Sequence, residues 1–152
     1  MKKKVLALIT ARSGSKEIPK KNIKLFHGKP LLEWTIKSAK KSKYIDRIIV
    51  STDSIKIKKI SEDLGAIVPF LRPKNLSQDT SQSIDVVLNL LKYIKDIEYL
   101  ILLQPTSPLR TTKDINGIIE FSLSKKLKSC VSISRINDHP ELMFQLKKNY
   151  KL

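Results

Sequence analysis

The chain has 152 residues, 41% of them hydrophobic, and its 30 lysines and arginines against 14 acidic residues give a formal net charge of +16. That length suits one domain with a buried core, and that apolar share argues against a disordered chain. No apolar run approaches the roughly 20 residues that cross a bilayer as a helix.

The opening Met1-Lys2-Lys3-Lys4 followed by Val5–Ile9 imitates a secretory signal. The apolar run is short, however, and Arg12 and Lys16 stand where a small-residue cleavage site belongs, so a cytoplasmic protein with no membrane partner is expected. Val5–Thr10 reads instead as the first strand of a sheet, followed by a long polar loop, residues 11–29. Pro30 opens a helix with Leu32, Ile36 and Ala39 on one side. Arg47–Ser51 is the second strand. Ile57, Ile60 and Leu64 mark a helix that Gly65 closes. Ala66–Phe70 is read as a third strand, and a loop over residues 71–81 follows.

Ile84, Val87, Leu88, Leu91 and Ile94 give the clearest amphipathic helix, with those side chains expected inward. Tyr99–Leu103 is the fourth strand, leaving into a loop over residues 104–111. Thr111 through Asp114 reads as a capping box for a helix with Ile115, Ile118 and Ile119 inward. Ser129–Ser134 is the fifth strand, and Leu142–Leu146 is a further strand candidate. The lone Cys130 can form no internal disulfide, and a core thiol is expected there rather than a nucleophile. Five strands alternating with four helices define an α/β fold, a mostly parallel sheet with helices on both faces. Ligands of such sheets sit beyond the carboxyl ends of the strands, where the strand order reverses.

The first loop is long for a compact domain and unusually cationic. Arg12, Lys16, Lys20 and Lys21 repel one another with only Glu17 in opposition, which calls for an anionic ligand. Ser13, Gly14 and Ser15 are small enough to let backbone amides approach an oxyanion. Neither G-x-x-x-x-G-K-[ST] nor G-x-G-x-x-G is present, so the loop alone leaves a phosphate site and a solvated basic turn equally open. The other two loops add Arg72, Asp79, Thr80 and Ser83, and then Gln104, Pro105, Thr106 and Arg110. Two prolines in Gln104-Pro105-Thr106-Ser107-Pro108 fix a rigid wall rather than a lid. The net charge also raises nucleic acid. Only five basic residues are arginines (12, 47, 72, 110, 135), whose planar fork suits phosphate and base contacts, and the lysines are scattered, so no specific nucleic-acid partner is expected.

Taken in order, Ala11-Arg12-Ser13-Gly14-Ser15-Lys16, Ile18-Pro19, Lys21-Asn22, Gly28-Lys29-Pro30-Leu31, Ser51-Thr52-Asp53, Leu71-Arg72-Pro73, Asp79-Thr80 and Leu103 through Arg110 resemble the acylneuraminate cytidylyltransferases. These enzymes join CMP to sialic acid and related nine-carbon acidic sugars. The resemblance implies a Rossmann-like nucleotidyltransferase fold, with residues 1–152 as a single nucleotide-binding domain. It implies that Ala11, Arg12, Gly14, Ser15, Lys16, Lys21 and Asn22 wrap the triphosphate of CTP, with Lys21 and Arg12 stabilising charge in the transition state. Arg72 and Ser83 would hold cytosine and ribose, and Gln104, Pro105 and Thr106 would line the sugar side. For Arg72 an ion-pair role, for Ser83 a helix N-cap and for Asp53 a helix cap stay open as structural alternatives. His139-Pro140 also matches the family, without an independent task.

Two departures accompany the resemblance. Glu17 stands where the family has glycine. The family also carries a C-terminal segment for the sugar pocket, the dimer contact and a paired-aspartate site for Mg²⁺, and no D-x-D arrangement occurs here. Mg²⁺ is thus expected for the family, with no metal ligands assigned in this chain. CTP and an acidic sugar are the expected partners, and association with a complementary fragment is the expectation for a truncated chain. The alternatives are a catalytically silent CTP-binding module pairing with a full-length enzyme, and a basic protein binding nucleic acid without specificity.

Overall fold

The computed structural model describes residues 4–15 and 17–133. Three parallel strands form the central sheet: β1 (Val5–Thr10), β4 (Ile45–Ser51) and β5 (Tyr99–Leu103), in the order β4-β1-β5. A short antiparallel pair, β2 (Leu25–Phe26) and β3 (Lys29–Pro30), lies within the first loop. His27 and Gly28 both have positive φ, 47° and 74°, as a two-residue hairpin turn of this hand requires. The Trp34 indole N–H donates to the Phe26 carbonyl at 3.0 Å and ties the hairpin to the helix that follows.

Among the described residues four α-helices pack around the sheet: α1 (Leu31–Lys40), α2 (Ile55–Asp63), α3 (Ser83–Leu91) and α4 (Thr112–Ser124). β1 is covered on both faces, which is why its sequence is continuously aliphatic. Val5, Ala7 and Ile9 point into one core with Leu32, Ile36 and Ala39 of α1, Ile57 of α2, and Ile115 and Ile119 of α4. Leu6 and Leu8 point the other way and meet Ile49 and Leu90, with Val87, Ile94 and Phe70 packed alongside. Helices therefore lie on both faces, as the alternating pattern predicts. Pro30 occupies the N-cap of α1, and Gly65 takes φ 82° just past the end of α2. At α4 the capping box is complete, Thr111 and Asp114 each bonding the other's backbone N–H.

Several expectations need correction. Residues 66–70 do not form a full strand; only isolated parallel bridges, Ile49 to Ile67 and Thr52 to Leu71, attach this segment to β4. In α3 the sheet covers Val86 and Leu90, leaving Ile84, Leu88 and Leu91 exposed. The apolar arc of that helix is wider than the neighbouring surface can bury. Residues 129–133 pair with no strand, and Cys130 is exposed rather than in the core. The Leu142–Leu146 strand, His139-Pro140 and Lys16 lie outside the described residues. Among the described residues no helix is long and apolar enough to cross a membrane.

Candidate active site

The register of the sheet determines which loops meet. Thr10 pairs with Ser51 and Ile9 with Leu103, so the loops starting at Ala11, Thr52 and Gln104 leave one edge together. The bridge from Thr52 to Leu71 and the bond from Arg72 N–H to the Thr52 carbonyl (2.7 Å) bring the fourth segment alongside. The chain moves from β1 to β4 on one side and returns to β5 on the other, so the reversal of strand order falls between Ala11 and Gln104. That is the switch point where an α/β sheet binds its ligand.

In the first loop Ala11 is fully buried, and its N–H donates to the Ser51 carbonyl at 2.9 Å. Arg12 is half-buried. Ser13 is held by Asp53: its N–H donates to Oδ1 and its hydroxyl to Oδ2, both at 2.7 Å. Those Ser13 donors are therefore engaged by protein, and the amides left to approach an oxyanion are those of Gly14 and Ser15. A Cβ on Gly14 would meet nothing within 4 Å, so the backbone there is open to a ligand. Lys20, at φ 54°, turns the chain into a single 3₁₀ turn over Lys21–Ile23. Asn22 in that turn is buried and donates to the Arg12 carbonyl at 2.9 Å. Lys21, the first residue of that turn, is half-buried, while Lys20 and Glu17 are exposed.

Two arginines and two aspartates dominate the electrostatics. Arg12 pairs with Asp79 from the loop over residues 71–81 at 2.5 Å. Arg72 is 6% exposed, and its Nε and Nη2 have no hydrogen-bond partner. Burial pushes this guanidinium below its ordinary pKa, Asp53 opposes that shift, and the like charge of Arg12 adds to it. Burial alone would raise the Asp53 carboxyl, but the Ser13 hydroxyl and N–H, its own backbone and Arg72 together carry it below the ordinary value. The reading of Asp53 as a helix cap is thus replaced. Ser54 is the N-cap of α2, accepting from Ile57 N–H, and Asp53 turns to the first loop.

At the other side of the switch point Gln104 and Thr106 are exposed and Pro105 is buried. Arg110 folds back under this corner, its Nη2 at 3.4 Å from the Gln104 carbonyl. Ser83 is exposed and is the first residue of α3, while Gln82 holds the N-cap position without a side-chain bond, so Ser83 is not the cap. The structure thus brings Ala11, Arg12, Asn22 and Arg72 together, with Lys21 preceding Asn22 in the 3₁₀ turn and Gly14 and Ser15 in the same loop. Gln104, Pro105 and Thr106 lie at the same sheet edge, and Ser83 starts the helix after the Asp79 loop. Sequence reasoning undervalued Asp53 and Asp79; the available signal was an aspartate directly after a strand at the ligand-binding edge.

Among the described residues no group of three or more His, Cys, Asp or Glu could hold a metal ion. A cleft of about 1330 Å³ does not coincide with the cation cluster. It lies beside β5, between that strand, α4 and residues 126–132.

A parallel sheet with an open, cation-rich loop at its switch point defines an α/β protein whose ligand-binding edge suits an anion. The model of the cytidylyltransferase family matches residues 6–151, and the chain belongs to that family. It is 41% identical over 141 residues to the CMP-N,N'-diacetyllegionaminic acid synthase of Legionella pneumophila, covering 90% of this chain and 60% of that protein. To an N-acylneuraminate cytidylyltransferase of Escherichia coli it is 37% identical over 144 residues, 94% of this chain and 34% of the other. The chain therefore spans from about a third to three fifths of such relatives. Among solved structures, a CMP:2-keto-3-deoxy-manno-octonic acid synthetase complexed with CTP superposes with a TM-score of 0.71 at 19% identity, over 81% of this chain and 48% of that one. A cytidylyltransferase from Leptospira borgpetersenii gives 0.66 at 24% identity, over 82% and 50%. These two likenesses establish the Rossmann-like nucleotidyltransferase fold.

Proposed function

We propose that residues 1–152 form the nucleotide-binding domain of a cytoplasmic cytidylyltransferase that transfers CMP from CTP to a nine-carbon acidic sugar, of the sialic, legionaminic or pseudaminic type, with release of pyrophosphate. The observation that carries this reading is Arg72. A buried guanidinium with two unpartnered nitrogens is costly to maintain unless a ligand meets it, and it sits beside Arg12 at the switch point. The carbonyl and ring acceptors of cytosine or the ribose hydroxyls would satisfy those donors. Arg12, Lys21 and the Gly14 and Ser15 amides would take the phosphates, with Lys16 of the same motif.

In the reaction, the anomeric hydroxyl of the sugar attacks the α-phosphorus and the bond to the β,γ-pyrophosphate breaks. The protein's part is positioning and charge stabilisation. Arg12 and Lys21 would draw negative charge from the departing pyrophosphate, and Gln104, with Pro105 and Thr106, would orient the sugar from across the switch point.

A second reading is a CTP-binding module that acts only with a further polypeptide, favoured by β5, where Tyr99 through Leu102 are only half-buried. Titration of the chain with CTP should give saturable binding that ATP does not match and that Lys21→Ala greatly weakens. Binding that follows only ionic strength, equal for CTP, ATP and arbitrary DNA, would sink both readings. Product formed from CTP and a sugar acid by the isolated chain would separate the first reading from the second.

A further inference from the structure

Asp53 stands just after β4 at the sheet edge where the cationic loop begins, and its carboxylate is bonded to the tip of that loop. Its two oxygens hold the Ser13 N–H and hydroxyl at 2.7 Å each. Ser13 directly precedes Gly14, where the backbone is open, so fixing Ser13 constrains the direction of the Gly14 and Ser15 amides that follow it. Asp53 is itself anchored at the end of β4, next to the fully buried Thr52, which receives the Arg72 N–H. The loop tip is thus referenced to the rigid sheet at the position from which Arg72 is also placed.

We infer that Asp53 is a positioning residue that preorganises the Gly14 and Ser15 amides for phosphate, through its hydrogen bonds to Ser13 rather than through its charge. This rests on the nucleotide-binding reading of the loop. Simple electrostatics predicts the opposite sign, since removing a carboxylate near a polyanion should tighten binding. Asn at this position can keep both contacts, its Oδ1 accepting from the Ser13 N–H and its Nδ2 donating to the Ser13 hydroxyl. Ala can keep neither.

The test is titration of the full chain and its variants with inorganic tripolyphosphate, CTP and cytidine. Asp53→Ala should lose roughly tenfold or more in affinity for tripolyphosphate and CTP, the scale of one charge-assisted bond, while cytidine changes less than about twofold. Asp53→Asn should stay near wild type or bind the anions slightly tighter. Unchanged or tighter anion binding by Asp53→Ala, or equal losses in Asp53→Ala and Asp53→Asn, would overturn the inference. Equal losses for cytidine and tripolyphosphate would also overturn it, because they mark general structural damage. Wild type that takes tripolyphosphate but ignores the base would refute the CTP reading and leave the Asp53 comparison fully readable.

Discussion

The side-chain amide of Asn22 donates to the main-chain carbonyl of Arg12 across ten residues of loop, and it is buried while doing so. This bond closes the cationic segment into a ring, holding the 3₁₀ turn that carries Lys21 against Arg12. Asn22→Asp should be worse than Asn22→Ala, since it sets one acceptor against another. The alanine variant should cost about 1–2 kcal/mol of stability, and the aspartate variant more, with several-fold weaker CTP binding in both. Thermal melts paired with CTP titrations check the order.

Arg72 should behave as a residue kept for function against stability. With Nε and Nη2 unpartnered in a buried place, its charge contributes little to the fold. Replacing a buried ionic group by an apolar one of similar length is often neutral or stabilising. Arg72→Met should therefore melt at or above the wild-type temperature while losing roughly tenfold or more of its CTP affinity. A variant that melts well below wild type and still binds CTP would make Arg72 a purely structural ion-pair partner of Asp53.

Much of the fold is legible in the chain because its signals are local. The aliphatic run Val5–Ile9 marks a strand buried on both faces, and Thr111 with Asp114 caps α4 as its spacing requires. What escapes sequence reading depends on what a neighbour covers. Periodicity cannot tell that the sheet is too narrow to shelter Ile84, Leu88 and Leu91, or that Val131 and Ile133 face solvent. The same holds at the site. The cations announce themselves by number, but the direction taken by Asp53, toward Ser13 and away from α2, is decided by tertiary contact with a loop 40 residues earlier.

Acid should weaken the loop through Asp53. Despite burial acting upward, its net pKa lies below the ordinary 3.8 because Ser13 and Arg72 favour the carboxylate. The unfolded state thus takes up a proton first as pH falls. The stability due to this group is fully present above the ordinary value and is lost as pH drops through the lower folded value. The melting-temperature gap between wild type and Asp53→Ala should be widest at neutral pH and narrow below about pH 4, the ordinary aspartate range. A gap that is flat down to strong acid would mean that the ionised form gains nothing from the fold.

Asp79 offers the sharpest electrostatic prediction. Its carboxylate takes the place on Arg12 that a phosphate oxygen would need, and both side chains are about one third exposed, at 32% and 37%. Binding a triphosphate at Arg12 must then displace Asp79 or share the guanidinium with it. Asp79→Asn removes the competing charge and lowers the repulsion felt by the ligand. Because partly exposed ion pairs are worth about 0–1 kcal/mol, the gain should be modest, up to roughly fivefold tighter CTP binding. The gain should shrink as salt is raised, since the displaced pair is screened as well. Weaker CTP binding in Asp79→Asn at low salt would show that the aspartate orients Arg12 for the phosphate instead of competing with it.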